Sequence, residues 1–100
     1  MIKHVVIWKL KEEAEGADKH ENAAKLKYLL ESLKERIPSI CRLEAGIDFS
    51  GTAASGDIIF YCEFADHAAF EAFKLHPEYQ TVTDVVRSVI TEGRFVDYEV

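Results

Sequence analysis

Proton or metal chemistry in this chain would have to pass through four histidines, two cysteines and four tyrosines. His4 and His76 are the strongest candidates, because an imidazole titrates close to neutral pH and can act as a general acid or base. His4 lies between Ile2 and Val6 in an alternating segment, so it faces whatever covers that side. The competing reading is a core histidine satisfied by one backbone hydrogen bond. His76 precedes Pro77 at a break between two helical patterns. It would be either a pocket-rim residue beside His4 or a cap that packs the break. Tyr79 would serve as a polar handle, donating a hydrogen bond to a substrate carbonyl. His20 and His67 sit near helix starts and read as solvated. Cys41 and Cys62 have no CxxC spacing and read as reduced core residues, with Cys62 an inert, protonated thiol. No metal is expected: His4 and His76 supply two ligands at most, and there is no HxH or HExxH spacing. No cofactor is expected either, since Gly51 and Gly56 do not precede a helix and form no phosphate loop, and without a G-x-S-x-G there is no serine-nucleophile motif.

Composition narrows the class. One hundred residues suit a single domain spanning 1–100, and 48% apolar residues are enough to build a core. The formal charge of −6 argues against nucleic acid and anionic membrane as partners. No apolar run is long enough for a membrane span. The first residues are apolar, but charge recurs at Lys9, Lys11, Glu12 and Glu13. That is not a signal-peptide layout, so the chain reads as cytoplasmic and unprocessed.

The elements that would position the candidates follow from periodicity. Residues 2 to 11 alternate, with Ile2, His4, Val6, Trp8 and Leu10 on one face and Lys3, Val5, Ile7 and Lys9 on the other, which predicts a strand. Residues 12 to 17 read as a loop. Asp18 with Glu21 forms a capping-box start, and Ala23, Leu26, Leu30, Leu33 and Ile37 then follow helical spacing up to Pro38. A second strand runs through Leu43, Ala45, Ile47 and Phe49, and a third from Asp57 to Phe64. The third is nearly all apolar, which implies cover on both faces. Asp66 caps a short helix with Phe70 and Phe73, and Pro77 opens another with Tyr79, Val82, Val86 and Ile90. Gly93 fits a helix stop, and residues 94 to 100 form the last strand. The order β-α-β-β-α-β, with a broken second helix, predicts an α+β ferredoxin-like fold with a four-stranded antiparallel sheet.

Two surfaces follow. Val6, Trp8, Leu26, Leu30, Phe73, Val82 and Val86 converge between sheet and helices, either as plain core or as a pocket for a small apolar or aromatic ligand, with His4 and Tyr79 as its polar groups. On the opposite sheet face, Val5, Ile7, Ile59 and Tyr61 make an apolar patch on the central strands that helices on one side cannot cover. A second copy is the simplest cover, so a homodimer is predicted.

The chain also resembles a known family, the stress-responsive dimeric α/β-barrel (Dabb) domain. The resemblance rests on Ile2-Lys3-His4-Val5-Val6-Ile7-Trp8-Lys9-Leu10, Ile37-Pro38-Ser39-Ile40, Leu43-Glu44-Ala45-Gly46, Glu63-Phe64, His76-Pro77-Glu78-Tyr79 and Val96-Asp97-Tyr98-Glu99. It implies two sheets facing each other as a barrel with helices outside, and a stress-response association. The family has no single activity. Some similar members are plant polyketide cyclases working without a cofactor; monooxygenases and heme-degrading enzymes share the wider superfamily. A cyclase-like lyase would here use His4 and His76 as acid/base residues. Cyclase-like members carry an H-P-x-H pattern, where this chain has Tyr79 at the second histidine. They also have a tyrosine three residues before the first histidine, where this chain has Phe73.

Overall fold

The computed structural model describes residues 1–100. The elements are β1 (Ile2–Leu10), β2 (Glu13–Ala14), β3 (Ala17–Asp18), α1 (Lys19–Arg36), β4 (Arg42–Ile47), β5 (Ile58–Phe64), α2 (His67–Leu75), α3 (Pro77–Val89) and β6 (Ile90–Glu99). The main sheet runs β4-β5-β1-β6, antiparallel throughout, with β1 and β5 at its centre. This is the α+β, ferredoxin-like arrangement predicted from the pattern of the chain.

Local chemistry sets the element ends. The Asp18 carboxylate accepts from the Glu21 backbone N–H at 2.8 Å, and the Glu21 carboxylate accepts from the Asp18 N–H at 3.4 Å, which completes a capping box. Asp66 caps α2 through the Ala69 N–H at 2.8 Å. At the helix break, His76 Nδ1 accepts from the Glu78 N–H at 3.1 Å, while Pro77 fills a position whose N–H would have no partner.

Alternation sorts the sheet into two faces. Ile2, Val6, Trp8, Leu10, Ile58, Phe60, Cys62 and Phe64 are buried under the helices together with Leu26, Leu30, Leu33, Phe73, Val82 and Val86. The outer face carries Val5 opposite Tyr61 and Ile7 opposite Ile59. Ile7 is 43% exposed and Ile59 39%, so in one chain the second face of β5 is not covered.

Three boundaries differ from the sequence reading. Residues 13–18 form a two-stranded hairpin rather than a loop, with Glu15 and Gly16 at φ 53° and 76° in its turn. Positive φ at both turn positions matches the twist of a tight hairpin, and Asn22 Nδ2 ties it to α1 by donating to the Ala14 carbonyl at 3.0 Å. The second strand ends at Ile47, and Phe49 stands fully exposed beyond it. Gly93 is not a helix stop. The helix ends at Val89, and Gly93 lies within β6 opposite Trp8. A Cβ there would meet Trp8 Cδ1 at 2.8 Å, so glycine makes room for the indole against the strand.

Candidate functional site

The edge strand β6 pairs only with β1, and its inner face is left largely open by the helices. Phe95 on that face is 68% exposed. The result is a cavity of about 390 Å³ between α3 and β6, within the size range of small-molecule sites. Its floor is His4, Val6 and Trp8 from β1; Tyr79, Thr83, Val86 and Arg87 of α3 form one wall; Phe95 and Asp97 of β6 form the other; Lys74 and Ile90 complete the lining. The α3 residues recur at helical spacing and so share one face.

His4 is the chemical centre of the floor. It lies directly opposite Asp97 in the β1–β6 pairing, and its Nδ1 is hydrogen-bonded to the Asp97 carboxylate. The ring is buried and packed among Phe60, Phe70 and Phe73, at centroid distances of 6.2, 5.3 and 6.0 Å. Nε2 is buried without a hydrogen-bond partner. An orphaned buried nitrogen costs about 1–3 kcal/mol and is a feature that ligand binding or catalysis can explain. The carboxylate on Nδ1 favours the proton there, which leaves Nε2 with its lone pair as an acceptor or base.

Tyr79 forms the wall beside this pair, its ring 4.1 Å from Phe73. Burial pushes its phenol up to about 12, with the charge of Asp97 adding to the shift. The hydroxyl is therefore protonated across the physiological range and is a hydrogen-bond donor, not a base. Burial also pushes up the Cys62 thiol, opposite His4 on β5, so it stays neutral, whereas Cys41, expected in the core, lies exposed just before β4.

Of the residues predicted for the site, His4, Tyr79, Val6, Trp8 and Val86 line one cavity. Leu26, Leu30, Phe73 and Val82 lie in the core behind it. His76 is not among the lining residues; its Nδ1 is occupied in capping α3. His76 therefore does not join His4 in the lining of this cavity. Asp97, Phe95, Lys74, Thr83, Arg87 and Ile90 were missed. For Asp97 and Phe95 a signal existed: in an antiparallel β1–β6 pair they share the face of His4 and Val6. No three His, Cys, Asp or Glu side chains converge as a metal-binding group, and no helix is long and apolar enough to cross a membrane.

Solved structures share this fold across nearly the whole chain. A dimeric protein of unknown function from Bacteroides fragilis is 24% identical with a TM-score of 0.82, covering 99% of this chain and 95% of that one. A dimeric ferredoxin-like protein of unknown function from Jannaschia sp. is 26% identical with a TM-score of 0.73, covering 99% and 98%. A hydroxynitrile lyase from Passiflora edulis is 14% identical with a TM-score of 0.82, covering 99% and 92%. Among curated proteins, none matches the chain in sequence. The model of the stress responsive A/B barrel domain (Dabb) matches residues 2–100, and the chain belongs to that family.

Proposed function

We propose that the protein is a homodimer built through the outer face of its sheet, and that each copy binds a small, mostly apolar or aromatic molecule between α3 and β6. The observation that carries the binding reading is the hydrogen-bonded His4–Asp97 pair in the lining of a 390 Å³ cavity otherwise lined largely by apolar side chains, with His4 Nε2 buried and unpartnered behind it. The dimer is supported by the half-exposed Ile7 and Ile59 at the sheet centre and by the dimeric character of the similar Bacteroides and Jannaschia proteins. The family name supports a stress-associated role, and free Cys41 and Cys62 support a reducing, cytoplasmic setting.

Trp8 is the sole tryptophan and lines the cavity, so its fluorescence reports occupancy. Titration with the neutral probe 4-phenylbutanol is expected to change Trp8 emission saturably. A response that stays linear up to the solubility limit would overturn the binding reading.

The hydrogen-bonded His4–Asp97 pair favours a second reading, a cofactor-independent proton-transfer enzyme of lyase or cyclase type. His4 Nε2 would take or give the proton, Asp97 would orient the ring, and the Tyr79 hydroxyl would donate to the developing oxyanion. The lyase from Passiflora edulis has the same fold. His76, held as a helix cap, has no part in this reading. Under it, His4→Ala should lower turnover of any substrate found by roughly 10²–10⁴-fold; retained turnover would remove His4 from the chemistry.

A further inference from the structure

We propose that the molecule held in the cavity carries one anionic head group, a carboxylate, bound at the mouth by Arg87 and Lys74 while its apolar body lies against Trp8 and Phe95. The inference rests on the reading of the cavity as a ligand site and names the ligand's chemistry.

The lining changes character from floor to mouth. His4, Val6, Trp8 and Val86 are buried, whereas the Arg87 side chain is exposed and that of Lys74 is partly so. Two permanent cations therefore stand where an apolar floor meets solvent. The cavity holds one carboxylate, Asp97, and it is already engaged by His4 Nδ1. Neither cation is committed to the fold. Arg87 pairs with Asp84 at 3.2 Å and Lys74 with Glu71 at 2.8 Å, both three residues away on the same helix and both solvent-exposed. Such pairs contribute little to stability, so a ligand carboxylate can displace them at small cost. Lys74 also lies 4.6 Å over the Phe70 ring, which steadies its stem against the helix. The Arg87 guanidinium is a planar fork that can grip a carboxylate through two parallel hydrogen bonds. The chain as a whole carries −6, so its overall field does not attract anions. Preference for a carboxylate would arise at these two side chains and would weaken with salt.

The test compares 4-phenylbutyrate with 4-phenylbutanol, which share a body and differ in the head group, by Trp8 fluorescence at neutral pH and low salt. The butyrate is expected to bind about tenfold tighter, the scale of one charge-assisted contact. In the double variant Arg87→Gln, Lys74→Gln that advantage should vanish, so that the two probes bind with equal affinity. Both side chains reach solvent, and a thermal melt of the variant checks that it folds. Equal affinity of the wild type for the two probes overturns the anionic head group and leaves the cavity reading standing. An advantage that survives the double variant overturns the assignment to Arg87 and Lys74. No saturable response to either probe overturns both readings.

Discussion

Lysine in place of Ile7 is expected to raise the dissociation constant of the dimer by at least about a hundredfold, seen as a monomer in sedimentation equilibrium at micromolar concentration. Ile7 sits at the middle of the outer sheet face, opposite Ile59, with Val5 opposite Tyr61 in the adjoining row and Val96 opposite Val5 on β6. The next row is polar, with Arg42 opposite Glu63 and Lys3 opposite both Glu63 and Tyr98. Gly46 keeps the β4 side low, since a Cβ there would already be 3.3 Å from Ile59 Cγ2. An apolar centre with a charged margin is the anatomy of a protein interface. An ammonium placed at that centre loses its water without gaining a partner, which costs roughly 3–5 kcal/mol. Two-fold symmetry places two such lysines in each dimer. Ile7 is half-exposed in the single chain, so the substitution leaves the folded protomer intact, as circular dichroism would verify. Tyr28→Lys, on the exposed side of α1, is the control and should leave the dimer unchanged. If Ile7→Lys dissociates no more readily than the wild type, the interface lies elsewhere.

The same outer face shows what one chain's sequence can and cannot disclose. Period-two alternation in β1 is a local property, so the assignment of His4, Val6 and Trp8 to one side and Val5 and Ile7 to the other was legible from residue types alone. So were the caps at Asp18 and Asp66 and the proline at the start of α3, because each involves neighbours within a few residues. Asp97 was different. Alternation with Phe95 puts it on one face of the last strand, but its partnership with His4 depends on the register between the first and last strands, ninety-three positions apart. Gly93 illustrates another limit. A glycine serves equally as a helix stop and as a point of close approach, and only the position of the Trp8 indole decides between them. His76 is open to two readings in the sequence, a pocket-rim base and a cap, because the residue before a proline at the first helical position is also where a cap belongs. Helical spacing likewise marks Leu26, Leu30, Phe73 and Val82 as buried without saying whether they wall a cavity or stand behind it. The mouth was hardest to see: Lys74 and Arg87 carry no signal apart from charge until α2, α3 and β6 come together.

Phe73→Ala is expected to cost roughly 3–5 kcal/mol of folding stability, the range for deleting a buried aromatic ring. Phe73 is fully buried, and its ring lies 4.9 Å from Phe64, 6.3 Å from Phe70 and 6.4 Å from Phe60. These rings come from β5 and α2, so the void would open where helix and sheet meet and could not close by a shift of one side chain. At about 4–8 °C per kcal/mol for a domain of this size, the melting temperature should fall by well over 10 °C. Phe73→Leu retains most of the apolar volume and should cost much less. The position also bears on the site. Phe73 stands 6.0 Å from the His4 ring and 4.1 Å from that of Tyr79, and so backs both polar groups of the cavity. Its removal should let the Tyr79 ring settle into the void and give water a path to His4 Nε2, weakening 4-phenylbutanol binding in the fraction that remains folded. A destabilised variant whose Trp8 titration matches the wild type would show that Phe73 serves the core alone and that the two polar groups hold their places without it.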